Sequence, residues 1–437
     1  MSDRTFADSL SFLYSLGHEL KSVKWDLARM RVLLAEIGSP HLAGRFIHVA
    51  GTNGKGSTCA MLDSSLRAAG FRTGLYTSPH LADPRERIRI HGEDISEAGW
   101  VAAFTTVHAA AERLLAREAV DAHPSFFETV TAMAFLAFAD ADLDYVVLET
   151  GLGGRLDATN VVDPEITVIT PIDFDHEAFL GSSLTLIAGE KAGIIKPGRS
   201  AVFAEQRAEA FDVLSRRAAE VGARVLRSDE WSVGHLETGR YGSGFTLSGQ
   251  GTEIPLRCPL AGVHQVENAR TAVAALHALG VAVEAIQRGI AATTWPGRLE
   301  RFAGTPDIIL DGAHNPAGAR ALAAYIKKFF ADEPVRIIFG AMRDKAVEEV
   351  AETLFPLAAE LILTAPLQPR AIAPESLSGF AEGKYRTAPD IGTALAMVAD
   401  PPMATFVTGS LYLVGEARAI LSTRSTNPVA AFTPRLQ

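Results

Sequence analysis

The stretch HVAGTNGKGSTCAML, residues 48–62, sets Gly51, Gly54 and Gly56 around Lys55 and follows them with the hydroxyls of Ser57 and Thr58. Glycines allow positive φ and close backbone approach, and a helix starting there offers free N–H groups to an anion. Lys55 can reach a terminal phosphate, and Ser57 or Thr58 can face a magnesium ion. The usual phosphate-loop spacing, G-x-x-x-x-G-K-[ST], is not met. Val49 and Gly56 stand where it needs a glycine and a hydroxyl. The competing reading is a tight strand–helix turn with an exposed lysine.

Four further segments carry polar groups at the ends of apolar runs. In LETGLGGRLDATN (148–160), Glu149 closes such a run, where open α/β sheets place their ligands, and suits a magnesium ion. The plain alternative is a glycine-rich surface loop. TPIDFDHEAFLG (170–181) holds Asp173, Asp175, His176 and Glu177, a set for a divalent cation, for proton transfer or for a solvated loop. GEKAGIIKPG (189–198) puts Lys191 at the start of a helical turn, and these residues alone read as a surface lysine. DGAHNPAGA (311–319) offers Asp311, His314 and Asn315 ahead of a helix.

These groups need a scaffold that brings strand ends together. RFIHVA (45–50), RTGLYT (72–77), DYVVLE (144–149) and EITVIT (165–170) read as strands, the last two buried on both faces. Helices are expected from the Ser96 cap to about Glu118, over 125–140, and from about 264 to 291. Strands alternating with helices predict a mostly parallel, doubly wound α/β sheet. Residues 223–257 have short glycine-rich runs and predict a small antiparallel accessory sheet. TTWPGRLERFAGTP (293–306) breaks the rhythm and reads as a linker. After it come DIILDG, a helix from Pro316, VRIIFG, LILTA and ATFVTGS, a second, smaller α/β domain. The boundary is set at 1–296 and 297–437. The last residues, from RSTNPVAAFTPRLQ onward, are expected to fray.

Composition agrees with two soluble domains: 437 residues, 48% hydrophobic and 21% charged. The net charge of -10 argues against nucleic acid or an anionic membrane as partner. The apolar TVTAMAFLAFADADL is too short to span a bilayer, and MSDRTFADSL lacks the plan of a signal peptide. Cys59 and Cys258 lie far apart with no metal spacing, the pattern of two reduced thiols in a cytoplasmic protein.

In order, VAGTNGKGST, TSPHL, ETGLGGRLDATN, DFDH, GEKAGIIKPG, HQVENA, PGRLE and DGAHNP resemble the motifs of folylpolyglutamate synthases and dihydrofolate synthases, within the Mur ligase superfamily. The GLGGRLDATN loop separates this branch from the muramoyl amino-acid ligases. The resemblance implies a two-domain Mur-ligase-like fold, a P-loop ATPase-type sheet followed by a Rossmann-like domain. It implies that Gly54, Lys55, Gly56 and Ser57 cradle the phosphates of ATP, with Asn268, Arg298 and Asp311 as further ATP contacts. Ser78, Glu149 and His176 match magnesium ligands, two ions in all, and Lys191 matches a lysine carried as a carbamate. Ser125, Phe126 and Phe127, with Leu156, Asp157 and Ala158, match a dihydropteroate site, although Ser125 replaces the usual Thr. GSP (38–40) likewise stands for G-N-P. His314 and Ser410 are candidates for the glutamate side, His314 with a catalytic role.

The implied activity is ATP-dependent ligation of L-glutamate to dihydropteroate and to reduced folates through an acyl phosphate, by a cytoplasmic monomer. Three other readings stand beside it: an enzyme with one of the two activities, a silent ATP-binding regulator, and a muramoyl ligase using a UDP-linked substrate.

Overall fold

The structure is a computed structural model that describes residues 5–16, 26–343, 345–381, 383, 385–398 and 401–424. The stretch expected to fray begins at Arg424, and the rest of it lies outside the described residues.

The larger sheet holds β1 (Phe46–Ala50), β2 (Thr73–Tyr76), β3 (Ile88–Ile90), β4 (Glu93–Asp94), β5 (Tyr145–Glu149), β6 (Ile166–Ile169), β7 (Ser200–Phe203) and β8 (Arg224–Arg227). Their order is β4-β3-β2-β5-β1-β6-β7-β8. From β2 to β8 neighbours run parallel, while β3 and β4 add an antiparallel edge. β1 and β5 are buried at every position, which is why neither shows a polar–apolar alternation. Ile47 and Val49 pack against Met61, Leu62 and Leu66 of the helix Lys55–Ala68. Phe46 turns to the other face, against Met133 and Phe135 of the helix Phe126–Asp140. Each such side chain stabilises the fold by about 1.5–3 kcal/mol on burial, so both faces need their helices.

The accessory sheet is β9 (Ser232–Gly239), β10 (Gly242–Gly249) and β11 (Thr252–Cys258), all antiparallel. It is shorter than the 223–257 expected. Arg224–Arg227 instead pairs in parallel with β7 and ends the large sheet. The helix Ala208–Glu220 and a tight turn at Gly222 return the chain there as an ordinary strand–helix–strand crossover. The helical stretch expected at 264–291 is two helices, Val263–Ala278 and Val283–Ala291.

The residues read as a linker contain a strand, β12 (Glu300–Phe302), antiparallel to β13 (Ile308–Leu310). β14 (Arg336–Phe339), β15 (Glu360–Leu363), β16 (Tyr385–Thr387) and β17 (Thr405–Thr408) complete the second sheet in the order β12-β13-β17-β14-β15-β16. β16 is exposed throughout and has no apolar run to announce it. The C-terminal ends of the parallel strands in the two sheets face each other. Asn315 bonds to Asn53, Lys345 to Asp175 and Arg320 to Asp173 across the gap. No described helix is long and apolar enough to cross a membrane. Cys59 and Cys258 are free and buried.

Candidate active site

Gly54 caps the helix Lys55–Ala68 at φ +83. A Cβ there would lie 2.2 Å from Oδ1 of Asn268, so the turn demands glycine twice, for its dihedral and for its contact. The first turn of this helix carries no acid, which leaves its N–H groups and positive dipole end open to an anion. Lys55 folds back over the loop, its Nζ 3.1 Å from the Gly51 carbonyl and 3.2 Å from that of Thr52. Ser57 is buried beneath it.

Lys191 donates to the same Gly51 carbonyl at 2.8 Å. The surface-lysine reading fails here, because the residue is 4% exposed. It also sits in the last turn of the helix Leu184–Ala192 rather than at the start of a turn. Ile187, four residues earlier, is fully buried, so the packed face of the helix carries Lys191 inward with it. Burial first, then the charge of Lys55, push its amine down to about 7.

Glu149, at the end of β5, is buried and accepts the N–H of Ser78 at 3.0 Å. Burial raises its carboxyl, with Lys55 and the Ser78 N–H opposing. Past β6, His176 adopts φ +53 at the start of a short helix. Its Nδ1 is buried without a hydrogen-bond partner among the described residues, and burial, then the charge of Lys345, push it down to about 3. A buried carboxylate and the Ser78 hydroxyl fit a hard divalent cation. His176 Nε2 accepts from the Lys345 ammonium, so its Nδ1 carries the proton, and the ring's lone pair reaches an ion only when Lys345 gives way. The sequence reading missed Lys345. Its Nζ bridges Asp175 Oδ1 at 2.7 Å and His176 Nε2 at 3.1 Å. The signal was present, since Lys345 and Arg343 follow the apolar run of β14 closely in the sequence.

From the second sheet, Asn315 caps the helix Pro316–Phe329 through Oδ1, which accepts the Gly318 N–H at 2.8 Å. That fixes its Nδ2 toward Asn53 Oδ1 and Asp175 Oδ2, each 3.0 Å away. Burial raises the Asp175 carboxyl, but the neighbouring His314 and the charge of Lys345 hold it well below the usual range. His314 Nδ1 lies 2.7 Å from the Gly312 carbonyl and so carries the proton, leaving Nε2 3.7 Å from Asp175. Asp311 accepts the N–H groups of Leu299 and Ala313 at 3.1 and 3.0 Å. Arg298 lies half-buried beside it, and desolvation lowers its guanidinium against the pull of Asp311 and Glu149. Ser410 is buried, and its hydroxyl accepts the Tyr412 N–H.

Asp157 does scaffold work. Its carboxylate accepts from the N–H groups of Gly151, Leu152 and Thr159 and from the Thr159 hydroxyl, which shapes the glycine loop. Ser125 caps the helix Phe126–Asp140 in a capping box with Glu128; a Ser in place of Thr keeps that function. Phe127 lies so close to Gly151 that a Cβ there would meet its ring at 2.5 Å. Tyr14 stacks on Phe126 with ring centroids 5.6 Å apart, a partner no local pattern could announce. All the site residues matched through the resemblance, Leu156 and Ala158 included, line one cavity of about 1220 Å³, whereas Thr58 and Glu177 do not. A single drug-sized ligand fills roughly 300–1,000 Å³, so this space accommodates more than one substrate.

Residues 49–276 match the Mur ligase middle domain and residues 297–411 the Mur ligase glutamate ligase domain. Fold and site thus define an ATP-dependent ligase of the Mur class. The chain is 35% identical over 425 residues to folylpolyglutamate synthase of Lacticaseibacillus casei, covering 95% of this chain and 98% of that one. It is 36% identical to dihydrofolate synthase/folylpolyglutamate synthase of Bacillus subtilis, covering 94% and 98%. The folylpolyglutamate synthase of Mycobacterium tuberculosis solved with ADP and AMPPCP superposes with a TM-score of 0.88 at 36% identity, over 95% of this chain and 99% of that one. An E. coli FolC in complex with DHPP and ADP gives 0.87 at 31%, over 96% and 98%. The chain belongs to the dihydrofolate synthase/folylpolyglutamate synthase family.

Proposed function

We propose that this ligase joins L-glutamate to dihydropteroate and to the γ-carboxylate of reduced folates at the expense of ATP. The observation that carries the reading is the convergence of Lys55, Glu149, His176 and Lys191, from four separate segments, on one cavity that also holds Tyr14, Phe126 and Phe127. Flat aromatic walls suit a pterin ring, and the phosphate loop suits ATP. The chain divides at 296/297 into an ATP- and folate-binding part, residues 1–296, and a C-terminal part, residues 297–437, on the glutamate side. It works in the cytoplasm as a monomer.

A carboxylate oxygen of the pterin substrate attacks the γ-phosphorus of ATP, the bond to the β–γ bridging oxygen breaks, and ADP leaves. Lys55 offsets the repulsion between the two anions, and the helix that begins at Lys55 holds the phosphates with its N–H groups. Asn268 and Arg298 steady the nucleotide, and Asp311 holds the linker turn through Leu299. Ser78, Glu149 and His176, with Lys191 as a carbamate, would hold two magnesium ions, which when bound would supply Lewis-acid neutralisation of the phosphate oxygens. The amine of L-glutamate then attacks the acyl carbon, its C–O bond to phosphate breaks, and phosphate and one proton depart. His314 and Ser410 attend this second step from the C-terminal sheet. Closure of the cleft through Asn315 and Lys345 excludes the water that would hydrolyse the acyl phosphate.

Purified protein is assayed for phosphate release with dihydropteroate plus glutamate and with tetrahydrofolate plus glutamate. Both pairs should stimulate it. Stimulation by one pair alone reduces the activity to that half, and stimulation by neither, with ATP still bound, overturns the reading.

A further inference from the structure

Away from the cleft, His108 and Glu112 stand four residues apart on the helix Glu97–Ala116, and so share one face of it. His123, from the segment before the helix Phe126–Asp140, folds onto that face. One ligand atom from each of the three residues lies within 4.8 Å of the others. Nδ1 of His108 is 4.0 Å from a carboxylate oxygen of Glu112. Two ligands held about 2.0–2.2 Å from one tetrahedral ion stand roughly 3.3–3.6 Å apart, so the exposed Glu112 side chain needs a small swing, and the three groups together a modest contraction, to close the set.

The second imidazole is already oriented for such a role. Nδ1 of His123 lies 2.8 Å from the Pro124 carbonyl. A carbonyl only accepts, so Nδ1 carries the proton and Nε2 is left with its lone pair. That Nε2 is buried and has no hydrogen-bond partner among the described residues. Metal-ligating histidines are arranged this way, one ring N–H on a carbonyl and the other nitrogen on the ion. The plainer reading is an aromatic cluster. Phe12 packs edge-on against both rings, at 4.4 Å from His108 and 5.1 Å from His123. It accounts for the packing but leaves a bare acceptor buried, which is unfavourable without a partner.

We propose that His108, Glu112 and His123 bind one divalent transition-metal ion of the zinc or cobalt class, with water completing its shell. Two imidazole nitrogens and a single carboxylate select such ions over magnesium. His108 is buried, His123 is half-buried and Glu112 is exposed, so an ion reaches the site from solvent along the carboxylate. The ion would pin residues 117–124, which lead directly into Ser125, Phe126 and Phe127. Phe12 touches both histidines while Tyr14, two residues on, stacks on Phe126. A metal here steadies the aromatic side of the cavity without joining the chemistry.

The test titrates tag-free, full-length protein with Co²⁺ alone, read by its visible d–d absorption, and with Zn²⁺ by calorimetry. Glu112→Gln and His123→Gln are run beside the wild type. The expected result is one tight ion per chain in the wild type and at least a tenfold loss of affinity in each variant, with ligation turnover retained in both. Glu112 is exposed, so its variant keeps the fold if His123→Gln does not. Equal uptake by the wild type and Glu112→Gln, or no uptake by the wild type, overturns the site.

Discussion

Lys191 and Lys55 meet on one oxygen: their ammonium nitrogens lie 2.8 and 3.1 Å from the main-chain carbonyl of Gly51. Two cations on one dipole, in a buried place, cannot both stay charged at little cost. Lys191 is the one that yields, because burial and then Lys55 push it down to about 7.

A lysine that titrates near 7 offers a free amine at physiological pH, and only the free amine adds carbon dioxide. Protein exchanged into ¹³C-bicarbonate should therefore show a carbamate carbon resonance, absent from Lys191→Arg. The free-amine fraction grows as pH rises through about 7, so the resonance should fade below that pH. Ligation by Lys191→Arg should fall by about 10² or more, the size of effect seen when one transition-state contact is removed. A wild-type sample with no such resonance, and an unchanged rate in carbon-dioxide-free buffer, would rule the modification out.

Lys55→Ala should lower kcat by about 10²–10³, since one phosphate-neutralising charge is removed from the transition state. Its two hydrogen bonds go to loop carbonyls that water can satisfy, so the melting temperature should hardly move. Normal turnover would sink the assignment of the loop.

Gly54→Ala separates the cradle from its charge. The substitution puts a methyl at φ +83 and 2.2 Å from Asn268 Oδ1, a strain of about 1–3 kcal/mol from the dihedral alone. Binding of a non-hydrolysable ATP analogue, measured by calorimetry, should weaken sharply while the far-UV spectrum stays native. Unaltered affinity would show that the loop does not hold the phosphates.

The parallel strands were legible because burial on both faces turns them into near-continuous apolar runs, as in YVVLE of β5. The polar loops at their ends were legible because glycine, lysine and carboxylates interrupt those runs abruptly. The exposed edge strand β16 was not legible, because none of its three residues is buried and so no apolar pattern is imposed on it. Nor was Tyr14, whose partner Phe126 lies far along the chain and is reached only through tertiary folding. Lys191 marks the boundary between the two cases. Its neighbours suggest solvent, and only the packing of Ile187 against the sheet carries it inward.

Lys345 ties the two sheets together through Asp175 and His176, with the lysine and Asp175 side chains only 11% and 10% exposed. Lys345→Met leaves a poorly solvated carboxylate with one partner fewer, and should destabilise the nucleotide-free protein by about 1–3 kcal/mol. It should also loosen the cleft. Small-angle scattering of the nucleotide-free variant should give a larger radius of gyration than the wild type, and ATP should narrow the difference. Superimposable scattering curves would mean that the contact follows closure without contributing to it.

Acid stability offers a test at a residue outside the chemistry. His48 lies on β1, fully buried, with Nε2 2.8 Å from the Thr159 hydroxyl. Burial, followed by the charge of Lys196, pushes it down to about 3 from an ordinary 6.5. Between those values the unfolded chain binds a proton that the folded chain refuses, so stability must fall as pH drops from 6.5 toward 3. Above 6.5 both states are neutral and the contribution is flat. His48→Gln keeps a group able to bond Thr159 but cannot titrate. Its melting temperature should be lower at pH 7, where packing is less favourable, and should decline less steeply than the wild type between pH 6 and 4. Parallel melting curves across that range would show that His48 carries no part of the acid sensitivity.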